Sequence, residues 1–531
     1  MDFILRWFLN LLMLKEYEMK KITKYKIKFL LGFLFLFIPA FLSASAQNVL
    51  LNLDFTNVPL SKVLNEIGRQ TSLSVVYNTK DINPDRVVTI KANREKLGTV
   101  MNRLLKNTSA SFSVRDKYLV LFTKEVDEVR NVTDYASVKT MPLEEAKADG
   151  LYQTIGADID DPYIAELKKL VLHQDCIDKV ASELKIVYTP LHGTGNLPVR
   201  RVLKELGFTN VYVVPEQELP DGDFPTVSYP NPEAAEAFAL GLALGKKVDA
   251  DLILATDPDA DRLGVYVKDA QTGEYHSLTG NMSGCLIGDY VIGQRKELFG
   301  LPEDGAFIRS IVSTNMADAI AAYYGIDLIE VLTGFKFIGQ KILEFEETGK
   351  GTYLFGMEES YGCLPGTYAR DKDAVAASMM LCEAAAYYKT KNMTLWDAML
   401  AMYKRYGYYK DDVTSITLKG IEGLAKIQEI MNTLRENAPA EIGGYKVTAV
   451  RDYKLDTITD TAAGAVRPTG LPKSNVLYYE MTDGAWVCVR PSGTEPKVKF
   501  YLGVKGTSLA DADAKSEALS KAVHALIDTM M

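Results

Sequence analysis

The stretch from Asp251 to Arg262, D-L-I-L-A-T-D-P-D-A-D-R, places carboxylates at every second position: Asp257, Asp259 and Asp261. In an extended loop that spacing turns all three the same way, toward one cation. Mg²⁺ suits them, because it is hard and octahedral, takes a few carboxylate oxygens and leaves its other positions to water or a substrate phosphate. The plainer alternative is a polar turn whose Asp side chains cap a helix, which would leave three like charges crowded together in water. An EF-hand is excluded, because its sixth and twelfth positions need Gly and Glu, and here they hold Arg262 and Lys268.

Two further groups have chemistry to offer. In Gly356-Met357-Glu358-Glu359-Ser360, a carboxylate (Glu358) and a hydroxyl (Ser360) share one face at a spacing of two, which suits the vicinal hydroxyls of a sugar. In Arg490-Pro491-Ser492-Gly493-Thr494-Glu495-Pro496-Lys497, Gly493 lets backbone approach an anion, Ser492 and Thr494 donate hydroxyls, and Arg490 can grip phosphate oxygens in bidentate fashion. Thr333-Gly334-Phe335-Lys336 and Arg370-Asp371-Lys372-Asp373 bring cations toward the same rim. Taken singly, each of these has an ordinary reading as a solvated loop or a turn between hairpin strands.

The elements that must position these groups follow from periodicity. Leu252 to Ala255 is a short apolar run, a strand buried on both faces, and the acidic loop leaves its carboxyl end, where parallel sheets bind ligands. Residues 165–245 alternate helix and strand: a helix through Leu167, Leu170 and Val171, a strand at Leu184–Tyr188, a helix at Val199–Leu206 and a strand at Val211–Val214. Leu191-His192-Gly193-Thr194-Gly195-Asn196-Leu197-Pro198 imitates a dinucleotide loop, but Pro198 occupies the third glycine position, so it reads as a glycine-permitted turn beside the cleft. A second α/β unit runs from about Ser277 to Tyr403, and a unit with strands and two helices follows from about Val413.

Upstream the character differs. From Met19, lysines precede an apolar segment, Phe29 to Leu42, and Ala44-Ser45-Ala46, the pattern of a secretory signal with no membrane span left after cleavage. An uncleaved anchor is the alternative. Residues 48–124 form a small α+β unit, with a strand at Val49–Phe55, a helix opened by Pro59, and a second strand–helix–hairpin set ending in L-V-L-F. The charged stretch K-E-V-D-E-V-R-N within residues 124–131 marks a junction.

With 531 residues the chain needs several cores, and a net charge of -9 argues against general nucleic-acid binding. Anionic ligands must then be met by local Arg and Lys clusters or by metal. Five scattered cysteines without a C-x-x-C pair read as buried free thiols, which fits a reducing cytosol and conflicts with the secretory signal.

Taken in order, T-D-P-D-A-D-R, G-M-E-E-S, R-D-K-D and R-P-S-G-T-E-P-K-V-K resemble the α-D-phosphohexomutase family of phosphoglucomutases and phosphomannomutases. The resemblance implies two doubly wound α/β domains, residues 166–275 (metal loop) and 276–405 (sugar loop), then a C-terminal α+β domain, residues 406–531 (phosphate loop). Residues 126–165 would be the junction and the tail of a first domain. It also implies Mg²⁺ on Asp257, Asp259 and Asp261, a hexose phosphate (glucose or mannose) on Glu358 and Ser360, and its non-reacting phosphate on Arg490, Ser492, Gly493 and Thr494. Arg262 and Lys336 would be further active-site cations and Lys372 an acid-base group. The metal loop has Ala260 where the family usually carries Gly.

The family's phosphoserine loop, T-x-S-H-N-P-like, has no counterpart, because the four histidines follow Leu, Leu, Tyr and Val. Residues 1–46 (signal region) and 47–125 stand in its place, the latter resembling the small secretin and TonB-receptor N-terminal domain, which implies protein contact in the cell envelope. Intramolecular phosphoryl transfer is therefore expected to be crippled. An envelope sensor with a non-catalytic sugar-phosphate-binding module is the alternative. The signal points to the periplasm or envelope, the remainder to the cytoplasm.

Overall fold

The computed structural model describes residues 50–71, 73–77, 82–106, 108, 110–115, 118–123, 140–418, 420–492 and 497–531. The signal region and the charged junction lie outside these. The chain divides into two compact units, residues 1–153 and 154–531.

In the first unit, β1 (Leu50–Pro59) runs straight into α1 (Leu60–Thr71), then β2 (Ser74–Val76), β3 (Val87–Lys96), α2 (Leu97–Leu104), β4 (Ala110–Arg115), β5 (Tyr118–Thr123) and α3 (Leu143–Ala148). Pro59 closes the strand instead of opening the helix. Strands β1 and β3 pair antiparallel, and β5 lies between parallel β2 and antiparallel β4. Leu60, Val63, Leu64 and Ile67 of α1 and Leu97, Val100, Met101 and Leu104 of α2 recur at helical spacing, and all are buried with Leu51, Leu53 and Leu119 in a core of their own.

The second unit opens with α4 (Ala157–Lys168), α5 (Gln174–Val180), β6 (Ile186–Thr189), α6 (Asn196–Leu206), β7 (Val211–Val213), α7 (Ala239–Val248), β8 (Leu252–Thr256), β9 (Leu263–Lys268) and β10 (Tyr275–Leu278). The sheet order is β10-β9-β8-β6-β7, with β8, β6 and β7 parallel and β9 and β10 antiparallel at one edge. All five residues of β8 are buried, as its apolar run requires. Helix α4 begins earlier than periodicity suggests and ends before Leu170. Its Ile164 and Leu167 join the same core as Val199 and Leu203 of α6, so the expected boundary at 165/166 falls inside a helix.

A second sheet, β12-β11-β13-β14, is built from α8 (Gly280–Phe299), β11 (Gly305–Ser310), α9 (Met316–Tyr324), β12 (Asp327–Val331), α10 (Lys336–Thr348), β13 (Thr352–Glu358), β14 (Gly362–Leu364), α11 (Ala374–Thr390) and α12 (Leu395–Tyr406). Strands β12, β11 and β13 are parallel and β14 is antiparallel. Helix α8 is buried over almost all of Gly280–Gln294 and α11 over Ala374–Tyr387, which is why neither shows an amphipathic stripe in the sequence.

The last segment is α+β: β15 (Tyr408–Thr417), α13 (Gly420–Glu436), β16 (Glu441–Ile442), β17 (Tyr445–Asp452), β18 (Thr457–Asp460), β19 (Val466–Arg467), β20 (Leu477–Met481), β21 (Trp486–Pro491), β22 (Lys497–Gly506) and α14 (Leu509–Asp528). Its strands run in the order β15-β22-β21-β20-β17-β18-β19, all antiparallel, with β16 against β17. The five cysteines are free and buried. Among the described residues, no helix is long and apolar enough to cross a membrane.

Candidate metal and sugar-phosphate site

The metal loop leaves β8 as a tight turn, not as the extended segment inferred from alternation. Ala260 has φ +57°, and Asp257 Oδ1 accepts the backbone amides of Asp261 and Arg262, each at 3.0 Å. The turn nevertheless gathers one carboxylate oxygen each from Asp257, Asp259 and Asp261 within 4.8 Å of one another. Burial pushes Asp257 up to about 7, and the charges of Asp261 and Asp259 add to the rise. Asp261 Oδ1 is buried without a hydrogen-bond partner. Crowded carboxylates with a spare oxygen fit a hard divalent cation, so the trio can hold Mg²⁺.

An alanine at positive φ is strained by about 1 kcal/mol relative to glycine, part of which glycine gives back as unfolded-chain entropy. Ala260→Gly is therefore expected to raise unfolding stability by at most about 0.5 kcal/mol in a denaturant titration.

Behind this turn lies the loop after β6. Leu191 and His192 take positive φ (46° and 60°), and His192 is buried with its ring on Leu219 O (3.1 Å) and Thr226 Oγ1 (2.9 Å), a satisfied turn histidine. A Cβ on Gly193 would lie 2.4 Å from Pro258 Cα, and one on Gly195 would lie 2.6 Å from Thr256 Oγ1. Thr194 donates to Pro258 O through its amide (2.8 Å) and hydroxyl (3.0 Å). The glycines thus allow one loop to press against the other.

The sugar loop is tied to the metal loop through backbone. Leu263 N donates to Tyr361 O (3.0 Å), and Ala374 N, at the start of α11, donates to Ala260 O (3.0 Å). Glu358 ends β13 and is 5% exposed, and Ser360 Oγ donates to its Oε1 at 3.2 Å. Burial pushes Glu358 up to about 7, helped by Glu359 and opposed by Lys372.

Lys372 joins the two loops by charge, with Nζ 2.6 Å from Asp261 Oδ2, 3.2 Å from Asp371 Oδ1 and 3.9 Å from Glu358 Oε1. Burial works to lower its ammonium, but Asp261, Glu358 and Asp371 outweigh it and hold it above its ordinary value. Arg262 contacts Glu233 (3.1 Å), Asp257 (3.6 Å) and Asp261 (3.6 Å). Lys336 is the exposed first residue of α10.

A cavity of about 980 Å³ opens beside these groups, lined by Asp259, Asp261, Lys336, Arg370 and Lys372 among others. Glu358, Ser360, Arg490 and Ser492 are not among its walls. The charge of Arg490 is felt at the sugar loop through Glu359. Burial pushes Glu359 up, while Ser310 Oγ, donating at 2.9 Å, and the charges of Arg490 and Lys499 pull it down. Ser492 N donates to Lys497 O at 2.7 Å across the β21–β22 hairpin, and Gly493 and Thr494 fall outside the described residues.

Sequence reasoning overlooked two residues here. Glu359 ties the sugar loop to the end of β11 by accepting the Ser310 hydroxyl, and nothing in the sequence distinguishes it from Glu358. Asp373 caps α11 by accepting Val375 N (2.8 Å) and Ala376 N (3.1 Å), and also takes the hydroxyls of Tyr163 (2.8 Å) and Tyr368 (2.6 Å). An Asp directly before a long Ala-rich segment was the available signal.

Comparison with known proteins bears on what these loops are. Three models of the phosphoglucomutase/phosphomannomutase family match: α/β/α domain II at residues 161–273, α/β/α domain III at 279–406 and the C-terminal domain at 436–519. Over residues 161–519 the chain belongs to that family. Phosphoglucomutases of Staphylococcus epidermidis and Staphylococcus aureus are similar to this family member, at 36% identity over 365 residues and 37% over 361. Each alignment takes in 68% of this chain and 64% or 63% of the relative, so the chain spans under two thirds of their length. The open form of a Paramecium phosphoglucomutase, pp63/parafusin, shares the fold (TM-score 0.50, 18% identity, 70% of this chain and 62% of that one).

Proposed function

We propose that this chain binds a hexose phosphate together with Mg²⁺, as a phosphohexomutase-type module, with little or no mutase turnover by itself. The observation that carries the reading is the bridge from Asp261 through Lys372 to Glu358, which joins a cation-ready turn to a carboxylate and hydroxyl poised for sugar hydroxyls. Asp257, Asp259 and Asp261 would hold the metal, which supplies charge stabilisation at a phosphoryl oxygen when bound. Glu358 and Ser360 would orient the sugar. Arg490 and Ser492, with Gly493 and Thr494, would hold the phosphate that does not react, and Arg262 and Lys336 would add positive charge at the rim.

Lys372, with its ammonium held protonated, is the group placed to give a proton near the sugar loop. What the chain's sequence does not supply is a serine followed by histidine to carry the phosphoryl group. Calorimetry with glucose 1-phosphate or mannose 1-phosphate is expected to show binding that strengthens with Mg²⁺. A coupled assay for glucose 6-phosphate is expected to show turnover near background, and normal rates from the pure chain would defeat the proposal. Asp257→Asn keeps the oxygen that organises the turn but removes its charge, so Mg²⁺ affinity should fall about tenfold with the fold intact.

A second reading, an envelope sensor, draws on the first unit, which has its own core. It requires that sugar-phosphate binding persist without turnover even when the first domain of a Staphylococcus relative is supplied in trans. Turnover restored by that domain would remove it.

A further inference from the structure

Away from the metal turn, His173, Asp175 and Cys176 bring three ligand atoms within 4.8 Å of one another. His173 Nδ1 lies 3.5 Å from Asp175 Oδ1, and Cys176 Sγ lies 3.9 Å from Asp175 Oδ2. Ligands about 2.0–2.3 Å from a tetrahedral zinc stand roughly 3.3–3.7 Å apart, so small side-chain adjustments would close the set on one ion.

The surroundings prepare the imidazole for that role. Gln294 is buried, and its Oε1 lies 2.7 Å from His173 Nε2. An amide oxygen only accepts, so Nε2 donates to it, and in the neutral ring Nδ1, facing Asp175, then carries the lone pair. The backbone amides of Leu172 and His173 donate to Glu383 Oε1 at 2.8 and 2.7 Å, which fixes the segment that carries the ring. Thr390 Oγ1, at 3.9 Å, is turned toward Cys176 Sγ. Asp175 Oδ1 faces His173, while Oδ2 faces Cys176 and pairs with Lys179 at 3.0 Å.

We propose that His173 Nδ1, one carboxylate oxygen of Asp175 and Cys176 Sγ form a zinc site with water in the fourth position, distinct from the Mg²⁺ turn and fixing the start of α5. Binding replaces the thiol proton of Cys176 with the metal and releases that proton to solvent. The sulfur makes the site soft enough to favour zinc over Mg²⁺, whereas the all-oxygen trio is hard.

The test is Co²⁺ titration of the full-length, metal-stripped chain, followed by its thiolate-to-cobalt absorption in the near ultraviolet. One Co²⁺ per chain should produce the band, Zn²⁺ should abolish it, and Mg²⁺ should not. The band should be lost in Cys176→Ser and persist in Asp257→Asn. Asp175→Asn changes an exposed side chain and serves if Cys176→Ser fails to fold, and it should weaken Co²⁺ binding about tenfold. No band in the native chain, a band that survives Cys176→Ser, or unchanged affinity in Asp175→Asn would each overturn the proposal.

Discussion

Replacing Glu330 with glutamine is expected to cost about 4 kcal/mol of stability, measured by denaturant titration, and to speed amide exchange in β17 and β20. Glu330 Oε1 lies 3.0 Å from Arg309 Nη2, and its Oε2 lies 2.8 Å from Arg451 Nη1. Arg309, whose side chain is 2% exposed, also meets Asp318 at 2.9 Å, and Arg451 meets Glu480 at 2.5 Å. Although burial opposes it, the two arginines hold the Glu330 carboxyl below its ordinary range. A neutral amide would leave Arg309 short of one of its two carboxylates and put two guanidinium groups against each other. Because Arg309 and Glu330 stand on β11 and β12 while Arg451 and Glu480 stand on β17 and β20, the loss falls where the second α/β sheet meets the C-terminal sheet. Unchanged stability in this variant would show that the ladder contributes little.

The second large effect is expected at Gly193. Alanine there would drive a methyl group into the backbone of Pro258, 2.4 Å from Cα and 2.6 Å from the carbonyl oxygen. Backbone cannot rotate out of the way as a side-chain tip can, so the metal turn must shift. The expected cost is about 3 kcal/mol, the upper part of the range for overpacking. Mg²⁺-dependent strengthening of sugar-phosphate binding should disappear with it. Calorimetry with and without Mg²⁺ checks the second outcome, and an unaltered Mg²⁺ response would mean the two loops are not coupled.

What could be read from the sequence, and what could not, follows the range of the interactions involved. The strand Leu252–Thr256 and the acid-rich turn after it were legible, because a buried parallel strand and clustered carboxylates leave local marks. The shape of that turn was not, since alternation suggests an extended chain and says nothing about a positive φ at Ala260. Helix α4 was misplaced because Pro162 and the aspartates around it mask its periodicity, and its hold on the core comes from α6. Lys372 was recognised by its motif, yet its partner Asp261 lies far away in sequence, and only the folded chain shows the pair. Arg490 was read as part of an anion cradle, but the pull of its charge on Glu359, from another domain, left no local trace.

The two amide-to-carbonyl links, Leu263 to Tyr361 and Ala374 to Ala260, are made entirely by main chain. Side chains on these loops can therefore drift without changing where the loops stand, since no substitution other than proline at 263 or 374 removes either donor. The relative placing of the two loops is thus written in the backbone and is indifferent to which side chains they carry.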